Sequence, residues 1–156
     1  MRLVLFLLAA LSIPVTASAA DRLTDTSRFQ AAFQGSFYGF DVCGDSTNGK
    51  LYRKALMDKV QHCPFTKDAK SDFTAWAAGA EAKGGNEIRR YISEHDKLPP
   101  RLDRRKANCI AQQQNDAYKQ ALAALAKYAG GEAKADAVVP DACEAGQSAA
   151  AAKVKP

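Results

Sequence analysis

Phe29-Gln-Ala-Ala-Phe33-Gln-Gly-Ser-Phe37-Tyr-Gly-Phe40 places four phenylalanines at intervals of four, four and three residues. That spacing lays all four rings along one face of an α-helix, and alternation along a strand would scatter them over both faces. Ser27 stands before the stripe as a candidate N-cap, while Gly35 and Gly39 oppose the helix, each by roughly 1 kcal/mol relative to alanine. The stripe is the strongest apolar pattern of the chain after its leader, and it sets the expectation of an all-α fold.

The pattern continues downstream. Asp41-Val-Cys-Gly-Asp-Ser-Thr-Asn-Gly is dense in turn formers and reads as a loop. Leu51, Tyr52, Ala55, Leu56 and Val60 mark a second amphipathic helix, capped by Thr47 or Asn48 and stopped by Pro64. A third carries Phe73, Trp76, Ala77 and Ala80, begins after Thr66 or Ser71, and is expected to end at Gly84-Gly85. Ile88, Tyr91 and Ile92 predict a short fourth helix capped by Asn86 and closed by Leu98-Pro99-Pro100. The fifth is predicted as one long C-terminal helix from about Leu102 to Ala129, ended by Gly130-Gly131. No window alternates long enough to predict a strand. The expectation is a compact bundle of four to five helices over residues 21–131.

Upstream, a single Arg2 precedes an apolar run from Leu3 to Val15 that closes on Ala17-Ser-Ala-Ala20. These are the parts of a secretory signal peptide, so residues 1–20 are expected to be cleaved. No cysteine follows the small residues and no arginine pair precedes the run, which counts against the lipoprotein and twin-arginine routes. The alanine-rich form is bacterial in style, and the expected address is the periplasm or the exterior. No other stretch approaches the ~20 apolar residues that a membrane span needs.

An oxidising compartment makes Cys43, Cys63, Cys109 and Cys143 two disulfides. A second helix of about 15 residues is roughly 22 Å long, which disfavours Cys43–Cys63 unless the loop before the helix folds back along it. Two pairings remain, Cys43–Cys109 with Cys63–Cys143, or Cys43–Cys143 with Cys63–Cys109. The second is preferred because Cys63–Cys109 would crosslink two core helices. Residues 132–156 have the composition of a disordered Ala-rich tail, yet Cys143 should tie that tail to the body.

No pattern in the chain specifies an enzyme. Cys-x-x-Cys and Cys-x-x-Cys-His are missing, which counts against redox, paired-cysteine zinc and haem chemistry. His62 and His95 each sit at a predicted helix end, where a positive charge suits the dipole. Neither has neighbours that would converge as metal ligands or as an acid–base pair. Ser36, Ser46, Ser71 and Ser93 lack a Gly-x-Ser-x-Gly elbow. Asp41, Asp45 and Asn48 fail the EF-hand spacing, and Gly84-Gly85 is not followed by the Lys-Ser or Lys-Thr of a phosphate loop. No catalytic residue, cofactor or metal is therefore assigned.

The formal net charge is +5. Its one regional concentration comprises Arg89, Arg90, Lys97, Arg101, Arg104, Arg105 and Lys106, interspersed with acids. Arg89, Arg90, Arg101, Arg104, Arg105 and Lys106 are the candidate partner-binding residues, with the Asp41–Asn48 loop as a second surface. An exported cationic face suits an acidic envelope or periplasmic protein, or an anionic surface, and nucleic acid is in the wrong compartment. In kind alone the arrangement resembles small exported helical bacterial proteins, the immunity proteins of secreted toxins and the periplasmic acid-stress chaperones. The first expected function is a non-enzymatic binding protein, inhibitor- or immunity-like. A stress chaperone is the alternative, and an enzyme with an unrecognised site is the last.

Overall fold

The computed structural model describes residues 20–140 and Cys143. Residues 1–19, 141, 142 and 144–156 lie outside the described residues, as do the signal-peptide and tail expectations placed on them. Six helices follow one another: α1 (Ala20–Gly39), α2 (Ser46–His62), α3 (Lys67–His95), α4 (Pro99–Gln114), α5 (Asp116–Ala129) and a single turn, α6 (Ala135–Val138). No strand occurs among the described residues, and the all-α expectation is met.

The phenylalanine stripe does what its spacing predicts. Phe29, Phe33, Phe37 and Phe40 are all buried, and the first three pack with Leu56 and Val60 of α2 and Phe73, Ala77 and Ile88 of α3. Ser27 lies within α1 and does not begin it. After Gly39 the chain tightens into a 3-10 turn, Asp41–Cys43, which Gly44 closes in the left-handed region (φ 83°). Asp45 occupies the N-cap position of α2, in place of Thr47 or Asn48. At the far end Cys63 is extended (ψ 154°), as the residue before a proline must be.

The predicted third and fourth helices are one. α3 passes through Gly84-Gly85 without a break for 29 residues. Gly84 is there for close approach: a Cβ at this position would lie 2.3 Å from Cζ of Phe37. The α1–α3 contact across Gly84 outweighs the weak helix propensity of the glycine pair. Thr66 caps α3, its Oγ1 accepting from the amide of Ala69 at 3.2 Å. Leu98 is the N-cap of α4, and Pro99 and Pro100 open that helix, where a missing N–H costs nothing.

The expected long fifth helix is instead two. Asn115 is extended (ψ 131°), and its Oδ1 accepts from the amides of Ala117 at 2.8 Å and Tyr118 at 3.4 Å. This N-cap starts α5 afresh in a new direction. The Tyr118 hydroxyl donates to Asp45 at the start of α2, and the Tyr128 hydroxyl to Asp58 near its end. α5 therefore runs alongside α2 in the same sense.

That break settles the disulfides. They are Cys43–Cys109 (Cα–Cα 5.4 Å) and Cys63–Cys143 (5.7 Å), which corrects the preferred pairing. α4 crosses the Cys43 end of the molecule, where Arg105 donates to the carbonyl of Val42 at 3.0 Å and Gln112 to that of Gly39. α5 then carries the chain along α2 to the Cys63 end. There α6 docks, Ala135 and Val139 are buried, and Lys59 pairs with Asp136. Cys143 is bonded to Cys63, and Ala135–Val138 form the short α6.

Candidate functional site

A cleft of about 380 Å³ opens where the end of α3 and the start of α4 meet the 3-10 turn. Arg101, Arg104, Arg105, Asn108 and Gln112 line it from α4. They recur at three- and four-residue steps, so one face of the helix presents all of them. The opposite wall is Tyr38 of α1 with Tyr91 and His95 of α3, and the Cys43–Cys109 bridge forms part of the lining.

The aromatic wall is prearranged. His95 stacks on Tyr91 with ring centroids 3.8 Å apart, and its Nδ1 lies 3.0 Å from the Tyr91 carbonyl oxygen. Tyr38 meets Tyr91 edge-on at 6.1 Å and is 59% exposed, a large ring left at the surface.

The three arginines differ in what they are free to do. Arg105 is half-buried and holds both carboxylate oxygens of Asp96, at 3.0 and 2.8 Å, besides the Val42 carbonyl. It fastens α4 to α3 and to the 3-10 turn. Arg101 and Arg104 are exposed and have no ion pair among the described residues. No aspartate or glutamate lines the cleft, so their charge is uncompensated there.

Of the six predicted partner-binding residues, the fold brings together Arg101, Arg104 and Arg105. Arg89 and Arg90 stand exposed on α3, where Arg89 donates to Asn86 and Arg90 pairs loosely with Glu94 at 3.9 Å. Neither they nor Lys106 lines the cleft. In the Asp41–Asn48 segment Gly44, Ser46 and Thr47 are exposed, but its acids are taken internally. Asp41 receives Arg53 at 2.8 Å, and Asp45 receives Asn48 and Tyr118.

Sequence reasoning missed Arg53, which is 3% exposed. Its Nε donates to Glu81 at 2.6 Å, one terminal nitrogen reaches both Asp41 and Ser36, and the guanidinium lies 4.0 Å from the centre of the Phe37 ring. The arginine thereby ties α1, the 3-10 turn, α2 and α3 together. Tyr38, Asn108 and Gln112 were missed too; only a lone exposed tyrosine beside the phenylalanine stripe signalled the first.

His62 is exposed, its Nδ1 2.7 Å from the Asp58 carbonyl oxygen. Among the described residues no three His, Cys, Asp or Glu side chains gather as metal ligands would. Nor is any described helix long and apolar enough to cross a membrane. Comparison with known protein families, with curated proteins and with solved structures finds no match for this chain.

Proposed function

We propose that the protein is an exported, non-enzymatic binding protein, inhibitor- or immunity-like, that docks an acidic surface of an envelope or periplasmic protein on the α3–α4 cleft. The observation that carries this reading is the pairing of two uncompensated guanidiniums, Arg101 and Arg104, with an aromatic wall of Tyr38, Tyr91 and His95. Arginine and tyrosine are the side chains that most often carry interface energy, because each combines a wide apolar or planar surface with hydrogen-bonding capacity. The Cys43–Cys109 disulfide holds the 3-10 turn to α4 at the cleft, as an oxidising compartment allows.

The partner is sought by affinity capture from an envelope extract and then tested by charge reversal on the purified pair. Arg101→Glu with Arg104→Glu should weaken the complex by about 100-fold or more, as two central charge reversals do. Arg89→Glu with Arg90→Glu should leave it within about threefold, as rim charges do. Equal affinity for the two double variants would overturn the assignment of this face. Mass spectrometry of the exported chain checks the address, with an expected start at residue 20 or 21.

A further inference from the structure

A second depression, of about 570 Å³, lies between α1 and α3 on the other side of Tyr38. Tyr38 lines both depressions, so the cationic cleft and this slot meet at one exposed ring. Half-buried Trp76 and exposed Tyr38 contribute apolar surface over the buried Phe37 and Ile88, and Gly79 and Ala80 leave room above it. A Cβ at Gly79 would meet nothing within 4 Å. Its charged rim residues, Lys83 and Glu87, are opposite in sign and confer no net preference.

Resting on the reading of the cleft given above, we infer that the two depressions form one composite site for an extended segment of a partner protein. The slot takes an aromatic or aliphatic side chain, and the cleft takes acidic side chains next to it in sequence. Charge complementarity fixes the direction of the segment, because carboxylates are favoured at Arg101 and Arg104 and gain nothing at the slot. An apolar anchor in a preformed slot beside a polar rim is the arrangement that concentrates binding energy in few residues.

Trp76 is the only tryptophan of the chain and lines the slot, so its fluorescence reports occupancy there directly. The probes are capped synthetic peptides added to the intact oxidised protein. One carries two phenylalanines ahead of four glutamates, one replaces the phenylalanines by glycine, and one replaces the glutamates by glutamine. The composite peptide should bind at least about tenfold tighter than either half-peptide, and it should shift the Trp76 emission.

Gly79→Phe, which fills the slot, should reduce binding to the level of the glycine–glutamate peptide. Ala78→Phe, on the same helix but outside the slot, should leave it unchanged. If the composite peptide binds no tighter than the glycine–glutamate peptide, the slot inference falls and the cleft reading stands. If neither acidic peptide binds, both fall. A Trp76 shift that depends on protein concentration without peptide would assign the slot to a second copy of the chain and overturn the inference.

Discussion

The two halves of this molecule are held together by different forces. α1, α2 and α3 enclose an apolar core in which Phe29, Phe33, Leu56, Val60 and Phe73 are almost wholly buried. The layer of α4, α5 and α6 buries little: no residue of α4, Leu125 of α5 and Ala135 of α6. Its attachment is largely polar and covalent, with Leu125 and Val139 the main apolar contributors. Arg105, Gln112, Tyr118, Tyr128 and Asp136 each bond to α1, the 3-10 turn, α2 or α3, and each disulfide joins one half to the other. Hydrophobic burial is non-directional and builds the first half. The second half is positioned by a few directional contacts, which leaves its outer face free to carry charge.

This comparison predicts a hierarchy of effects. The largest belongs to the core, where Phe33→Ala should cost about 3–5 kcal/mol in urea unfolding. The loss should be global, with amide exchange accelerated in all six helices. A loss confined to one helix would show that the core is not a single cooperative unit.

Next comes the covalent attachment. Replacing Cys43 and Cys109 by alanine should cost about 2–4 kcal/mol, since the bridge closes a long loop. Amide exchange should speed up in α4 and α5 well before α1–α3, and uniform acceleration would contradict the division drawn here. The two disulfide loops overlap along the chain, so their contributions should not add.

A smaller effect tests the join between α1 and α3. Gly84→Ala should destabilise by about 1–3 kcal/mol through overpacking against Phe37, although alanine is the better helix former. Gly35→Ala, whose Cβ meets nothing within 4 Å, should instead stabilise by roughly 0.5–1 kcal/mol. Thermal melts of the two variants would share a sign if close approach at Gly84 were irrelevant.

The smallest concerns the tyrosines that dock α5. Burial, and then the neighbouring Asp45 carboxylate that accepts its proton, push the Tyr118 hydroxyl up to about 12. Burial, followed by Asp58, raises Tyr128 in the same direction. A folded-state value above the unfolded one means the contribution is complete below about pH 10 and lost as pH climbs towards 12. Tyr118→Phe should therefore cost about 1 kcal/mol at neutral pH and make the alkaline loss shallower. An unchanged alkaline slope would remove Tyr118 from the attachment.

Much of the first half was legible in the sequence. The phenylalanine stripe, the apolar positions of α2, the Thr66 cap and the effect of Pro64 are local, and local geometry decides them. The misreadings share one cause, which is that a partner elsewhere in the chain reversed a local preference. Gly84-Gly85 looks like a stop until Phe37 is seen to occupy the space that a side chain would take. Asn115 looks like an ordinary helix residue until α5 is seen to dock on Asp45 and Asp58. Arg53 looks like a solvated charge until Asp41, Ser36 and Glu81 close around it.

The candidate site shows the same division. The basic stretch is visible in the sequence, and the spacing of Arg101, Arg104 and Asn108 puts them on one face of α4. Which face meets Tyr38 and Tyr91 depends on the fastening of α4 by Arg105 and the Cys43–Cys109 bridge, and no spacing encodes that.

The sequence by itself determined the all-α class, the aromatic face of α1 and the existence of two disulfides, and it disfavoured joining Cys43 to Cys63. Each follows from helical period, rise or cysteine number, which act within a segment. Only the tertiary structure decided which cysteines pair, that Arg105 is a fastener, and that Arg101 and Arg104 stand uncompensated beside an aromatic wall. Those outcomes depend on where α4 turns into α5, and that turn is fixed by contacts between residues some 70 positions apart, Tyr118 with Asp45 and Tyr128 with Asp58.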